Sequence, residues 1–333
     1  MALLLSNTKI KIKESSFCKS LVPGEYILNA KEGWWNWCMA PIYDEEGKLH
    51  VFVSSIPNDG VWSSSSTIVH FVADSPEGPY QFVDTVFSSP TASYHNPQIS
   101  KVGDTYVLVY MLRDNTKKSN PQEIGIATTK SLDDSWIESP YNPIIKGSGR
   151  MDNANIIHAS NPTFLVDADG RYRIYYKSIT DKYLPKQYRE ISLAISDNIE
   201  GPYKNYTNNP LISYAEMETD IEDPYAFYYK GMYYMIVEDR MDVRSALEGQ
   251  IIPQEKIKKG GLRPGLIYHS KDGINWSIPE IGYHTNQYYF NDTLARCERP
   301  HILWKNGLPE CLFIACHDND PTAGFFLRIE DWK

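Results

Sequence analysis

The chain has 333 residues, a net charge of −9 and no basic run longer than the KIKK at 256–259, so nucleic acid and anionic membrane are not expected partners. The opening MALLLSNTKIKIKE is too short in apolar residues for a signal-peptide core, and no later segment approaches a membrane span, which predicts a cytoplasmic protein or one whose export signal has been trimmed. Five cysteines (Cys18, Cys38, Cys297, Cys311 and Cys316) show no CxxC spacing and read as buried free thiols.

In chain order, the alternating NTKIKIKES comes first, and residues 8–14 are predicted to form a strand. A phrase then recurs five times, as MAPIYDEEGKLHVFVS at 39, HNPQISKVGDTYVLVYM at 95, SNPTFLVDADGRYRIYYKS at 160, EDPYAFYYKGMYYMIVED at 222 and ERPHILWKNGLPECLFIAC at 298. Each copy is a polar pair, a proline, an apolar strand, a glycine turn and a second strand. The prolines Pro41, Pro97, Pro162, Pro224 and Pro300 are 56, 65, 62 and 76 residues apart, and Gly47, Gly103, Gly170, Gly231 and Gly307 take the turn positions where φ > 0 is cheap.

After each of the first four hairpins comes another strand, a polar turn and a short aromatic-bearing strand. Four strands per repeat predict an all-β fold, a single five-bladed β-propeller spanning 1–333. The fifth repeat has only FFLRIEDW after its hairpin, so residues 8–14 are expected to pair with 323–330 and close the ring. Residues 242–258 are the one stretch with a helical pattern.

In a propeller the innermost strands converge, so the residues before the five prolines should meet at one mouth of the axis. They are Ala40, His95–Asn96, Ser160–Asn161, Glu222–Asp223 and Glu298–Arg299. Adjacent carboxylates on one strand point to opposite faces. Asp223 is expected to face the funnel, with Glu222 paired to a cation such as Arg299, or the two roles exchanged. Glu298 and His301 from the next blade are the expected catalytic partners, with Glu238 and Asp239 behind them. His95, Asn96 and Asn161 are expected to bond sugar hydroxyls or an ion. Trp34, Trp35, Trp37 and Trp62 offer faces on which a sugar ring can stack. His95, His158 and His301 lack metal-ligand spacing, so no metal centre is expected from the histidines.

With HNP, EDPY and ERP before successive hairpins and VADSPEGPY in blade one, the chain resembles the five-bladed propeller glycoside hydrolases around families 43, 32, 117 and 130. That resemblance implies removal of a non-reducing terminal sugar, with inversion preferred, by a monomer or homodimer. It requires no cofactor and allows a structural cation on the axis. It also departs from the pattern: families 43 and 32 carry an Asp before the first-blade proline, where this chain has Ala40. In family 117 a His serves as general acid, and His301 matches its place. A phosphorylase of the family 130 kind would need cations, for which Arg299, Arg263, Arg240 and Lys177 are candidates. A non-catalytic sugar-binding propeller is the third reading.

Overall fold

The computed structural model describes residues 10–29, 33–118, 120–147, 156–180, 186–250, 263–292, 296–316 and 323–332. Its strands form five antiparallel four-stranded sheets. A first strand, β1 (Leu21–Ile27), precedes blade one, which is β2 (Trp34–Tyr43), β3 (Leu49–Pro57), β4 (Thr67–Ala73) and β5 (Gln81–Phe87). Blade two is β6 (Ala92–Val102), β7 (Thr105–Asp114), β8 (Glu123–Thr129) and β9 (Ile137–Glu138). Blade three is β10 (Ile156–Val166), β11 (Tyr172–Thr180), β12 (Arg189–Ser196) and β13 (Lys204–Asn205). Blade four is β14 (Glu222–Tyr229), β15 (Met232–Glu238), β16 (Gly265–Ser270) and β17 (Glu280–Tyr283). Blade five is β18 (Glu298–Lys305), β19 (Leu308–Ala315) and β20 (Gly324–Ile329), completed by β1.

Burial explains the strand compositions. The second strand of a blade is covered on both faces by neighbouring blades, so β7 reads almost continuously apolar, with Val107, Leu108, Val109 and Tyr110 all sealed from solvent. Each such side chain contributes about 1.5–3 kcal/mol. The outer strand β5, QFVDTVF, is mostly exposed and mixed. First strands of successive blades pack on one another around the axis. The five hairpin glycines take φ of 59° to 85°, as their turns require.

The ring closes through the N-terminal region, but with a different strand from the one the alternation suggests. Leu21 pairs with Ile329 and Ile27 with Gly324, so LVPGEYI is the latch. Its Pro23 and Gly24 disguise it, yet an outer strand tolerates both. A Cβ at Gly24 would meet the Phe326 ring at 2.4 Å, so glycine lets the latch lie close. Residues 10–14 instead run along blade four, where Glu14 bridges Ile281 in parallel and Ile12 is buried; residues 8 and 9 lie outside the described part.

Among the described residues three short α-helices decorate the sheets: α1 (Ser16–Lys19), α2 (Val243–Leu247) and α3 (Asn286–Phe290). Of the expected helical stretch 242–258, only α2 lies among the described residues as helix, capped by Asp242. None of the described helices is long and apolar enough to cross a membrane. All five cysteines are buried, and none is joined to another in a disulfide.

Candidate active site

Each first strand carries a bulge where its register with the second strand shifts. One residue at each bulge is left-handed: Cys38 (φ 54°), Asn96 (51°), Asn161 (53°), Asp223 (60°) and Arg299 (54°). Asn and Asp tolerate this conformation; Cys and Arg do so only under the constraint of surrounding structure. The equivalence corrects the alignment of blade one by two residues. Trp37–Cys38, not Met39–Ala40, matches the polar pairs of the other blades, and Met39 stands where they have proline. Ala40 is fully buried in the core with Phe52 and Ile68.

The five left-handed residues link into a ring around the axis. Asn96 donates to Asn161 Oδ1 at 2.7 Å, and Asn161 donates to the Asp223 carboxylate. Arg299 donates to Asp223 from its backbone N (3.1 Å) and its guanidinium (3.4 Å), and its Nε reaches Cys38 Sγ at 3.2 Å. The Cys38 thiol donates to the Pro97 carbonyl at 3.4 Å. All five residues are buried. Burial pushes the Asp223 carboxyl up, against the opposing pull of Arg299. This reverses the favoured assignment, in which Glu222 would pair with Arg299: Asp223 holds Arg299, and Glu222 pairs with Lys177 and Arg189 instead. Asn96 Oδ1 is the ring's amide oxygen without a protein partner.

The residues one step toward the strand N-termini are Trp37, His95, Ser160, Glu222 and Glu298, and the registers place Lys177 opposite Ser160 and Glu238 opposite Glu222. Carboxylate oxygens of Glu222, Glu238 and Glu298 all lie within 4.8 Å of one another, a trio that is also able to hold a cation. Glu222 accepts from Arg189 Nε at 2.7 Å and Lys177 Nζ at 3.2 Å. Behind it, fully buried Asp220 accepts from Arg240 at 3.0 Å and from the Arg189 backbone N–H at 3.0 Å.

These surroundings separate three like groups. Burial alone would raise Glu222, but Lys177, Arg189 and Arg240 outweigh it and hold the carboxyl at about 2. Glu298 is pushed up to about 8 by burial and by the charges of Asp223 and Glu222. Glu238 is raised well above the usual range by burial and by Glu298, and its Oε2 is buried without a protein partner. Glu222 is ionised and Glu298 protonated at neutral pH, the division that acid–base catalysis uses.

The other expected residues are distributed as follows. His95 is buried, bonds Ser66 Oγ at 2.9 Å through Nδ1 and faces Trp62, whose ring lies 6.0 Å away. Trp62 in turn packs against Trp37 at 5.1 Å and Trp35 at 5.7 Å, making an aromatic wall on blade one. His301 bonds the Arg299 carbonyl and packs on Tyr225; burial lowers it to about 3, so its imidazole is neutral. Asp239 accepts from the N–H groups of Val243 and Arg244 and so anchors the start of α2. Arg263 donates to the carbonyls of Asp239 and Arg240. Arg189 and Asp220 escape a reading of the sequence, because they fall outside the repeated phrase. A separate cavity of about 590 Å³, lined by Thr105, Thr128, Tyr141 and Tyr172, opens on the opposite face between blades two and three.

No protein-family model matches the chain, and neither does any curated protein sequence. Solved structures do. One named simply "Glycoside hydrolase" superposes with a TM-score of 0.65 at 12% identity, over 92% of this protein and 92% of its own length. Zg3597, a family 117 glycoside hydrolase of the marine bacterium Zobellia galactanivorans, gives 0.62 at 15%, over 93% of this protein and 90% of its own length. A thermostable family-43 glycoside hydrolase gives 0.60 at 11%, over 92% and 91%. The fold is that of the propeller glycoside hydrolases. At these identities the likeness is one of fold.

Proposed function

We propose that the protein is a glycoside hydrolase whose chemistry is carried by Glu222, Glu238 and Glu298. One observation carries this reading: the trio's oxygens lie within 4.8 Å of one another while Glu222 is held at about 2 and Glu298 at about 8. Glu222, ionised and braced by Lys177 and Arg189, serves as nucleophile or base. Glu298, protonated, delivers its proton to the leaving glycosidic oxygen. Glu238, whose carboxyl burial and Glu298 push up, bonds the sugar or a partner carboxylate. Asp223 and Arg299 are positioning residues that fix the floor. A terminal sugar would stack on the wall of Trp35 and Trp62 with His95 at its edge.

Separation of the acid groups bears on stereochemistry. Inverting enzymes hold their two carboxyls about 6.5–9.5 Å apart to admit a water, and retaining enzymes about 5–5.5 Å. The short spacing here favours a covalent glycosyl intermediate and retention, rather than the inversion that the family resemblance implies. The exo preference rests on loops 142–158 and 240–264, of which 148–155 and 251–262 lie outside the described residues. Phosphorolysis has less support, since Lys177, Arg240, Arg299 and Arg263 each already serve a carboxylate or a carbonyl.

A panel of terminal aryl glycosides and plant or marine oligosaccharides, with and without phosphate, tests the reading. Release by wild type of the same anomer as in the substrate, with hydrolysis lost in Glu222→Gln, supports it. Sugar bound but unchanged by wild type after long incubation would leave a binding propeller, and dependence on phosphate would make it a phosphorylase.

A further inference from the structure

A second group of ligating side chains has no part in the funnel. Glu14, Cys18 and His284 present a carboxylate oxygen, a thiol sulfur and an imidazole nitrogen, all within 4.8 Å of one another. Their places in the chain are 270 residues apart at the extremes, so the fold, not local sequence, brings them together.

The framework that holds them is built from backbone bonds. Glu14 bridges Ile281 in parallel, with Ile281 N donating to the Lys13 carbonyl at 2.8 Å and Ser15 N to the Ile281 carbonyl at 3.1 Å. The Ser15 hydroxyl donates to the same carbonyl at 2.8 Å while accepting from Cys18 N at 2.9 Å, capping α1. That cap fixes the backbone of Cys18 against Ser15, the neighbour of Glu14. On the other side, the His284 ring stacks on Tyr288 with centroids 4.1 Å apart, and its main-chain N–H donates to Tyr289 Oη at 3.2 Å. Both ligand-bearing segments are thus oriented before any ion arrives.

We propose that Glu14, Cys18 and His284 form a zinc site that clasps the N-terminal segment to blade four. The donor set decides the metal. One thiolate, one imidazole and one carboxylate suit Zn²⁺, whereas Mg²⁺ and Ca²⁺ take oxygen ligands. Cys18 is buried and the other two are half-buried, so the fourth tetrahedral position faces outward to a water. On binding, the Cys18 thiol releases its proton to solvent and sulfur bonds the metal. The 2.7 Å Glu14–His284 hydrogen bond opens as both atoms turn to the ion. The site lies outside the funnel, and its test is independent of hydrolysis.

Chelator-treated protein titrated with Co²⁺ should take up one equivalent and develop sulfur-to-cobalt charge-transfer absorption with the visible bands of a four-coordinate ion. Zn²⁺ should displace it and raise the melting temperature. Cys18→Ser should abolish the charge-transfer band, and His284→Gln should weaken Zn²⁺ binding by about tenfold or more. If either variant fails to fold, alkylation of wild type serves instead: Zn²⁺ should protect Cys18, read by peptide mass. A charge-transfer band that persists in Cys18→Ser, or Cys18 alkylated equally with and without Zn²⁺, would overturn the proposal.

Discussion

Arg299 Nε stands 3.2 Å from Cys38 Sγ, and this contact joins blade five to blade one across the axis, completing a ring that runs through Asp223, Asn161 and Asn96. A guanidinium and a carboxylate buried together are stable only as a pair. Removing one partner strands the other, at a cost of about 3–5 kcal/mol. Asp223→Asn should therefore shift the urea midpoint strongly downward. The double variant Asp223→Asn/Arg299→Gln should lose less than the sum of the two single losses. Full stability in Asp223→Asn, with turnover lost in the folded protein, would instead place Asp223 in the chemistry.

Buried histidines predict sensitivity to acid. His95 and His301 are lowered to about 3, and His70 and His158 to about 4, in each case first by burial. Below the unfolded value of about 6.5 the unfolded chain binds protons that the folded chain refuses. The stability these groups contribute is complete above that value and drains away as pH falls toward their folded values. His70 hydrogen-bonds His50 at 2.8 Å inside blade one, so it is a suitable probe. His70→Gln should flatten the fall by one proton, about 1.4 kcal/mol per pH unit, in denaturant melts across this range. An unchanged slope would mean that His70 titrates normally in the fold.

The fold was legible because four copies of one phrase share a proline followed six to eight residues later by a turn glycine, and blade one keeps the glycine turn between its two strands. The latch was not, because Pro23 and Gly24 interrupt LVPGEYI, while KIKIKE alternates for a different reason: it seats Ile12 against blade four. The carboxylates Glu222, Glu238 and Glu298 were visible as residues, but which ones would be paired was not. That depended on Arg189 and Asp220, whose positions follow no repeat. Blade one was misaligned because Met39 replaces the proline that marks the other blades.

Closure by β1 leads to a local prediction. A side chain at Gly24 would run into the Phe326 ring and its carbonyl oxygen, at 2.4 and 2.6 Å from the added carbon. Gly24→Val should destabilise by about 1–3 kcal/mol or more, as overpacking does. Val22, 37% exposed on the same strand, is the control: Val22→Thr should stay within about 0.5 kcal/mol. Equal melting of the two variants would remove β1 from the closure.

Glu298 joins stability to catalysis. Its folded value of about 8 lies above the ordinary 4.5, so between these values the unfolded chain has released a proton that the folded chain keeps. Stability therefore falls as pH rises through this window and levels off above about 8. Glutamine mimics the neutral acid and does not titrate, so Glu298→Gln should gain stability over wild type progressively across the window, at about 1.4 kcal/mol per pH unit. The same substitution removes the proton donor. Turnover on a sugar with a poor leaving group should drop by about 10²–10⁴, and on an activated aryl glycoside, which departs without protonation, far less. Wild-type turnover should decline as pH rises past about 8, because the acid ionises there. A variant that loses both substrates equally and gains no stability at high pH would take the general-acid role away from Glu298 and leave it to Glu238, whose carboxyl burial and Glu298 also push up.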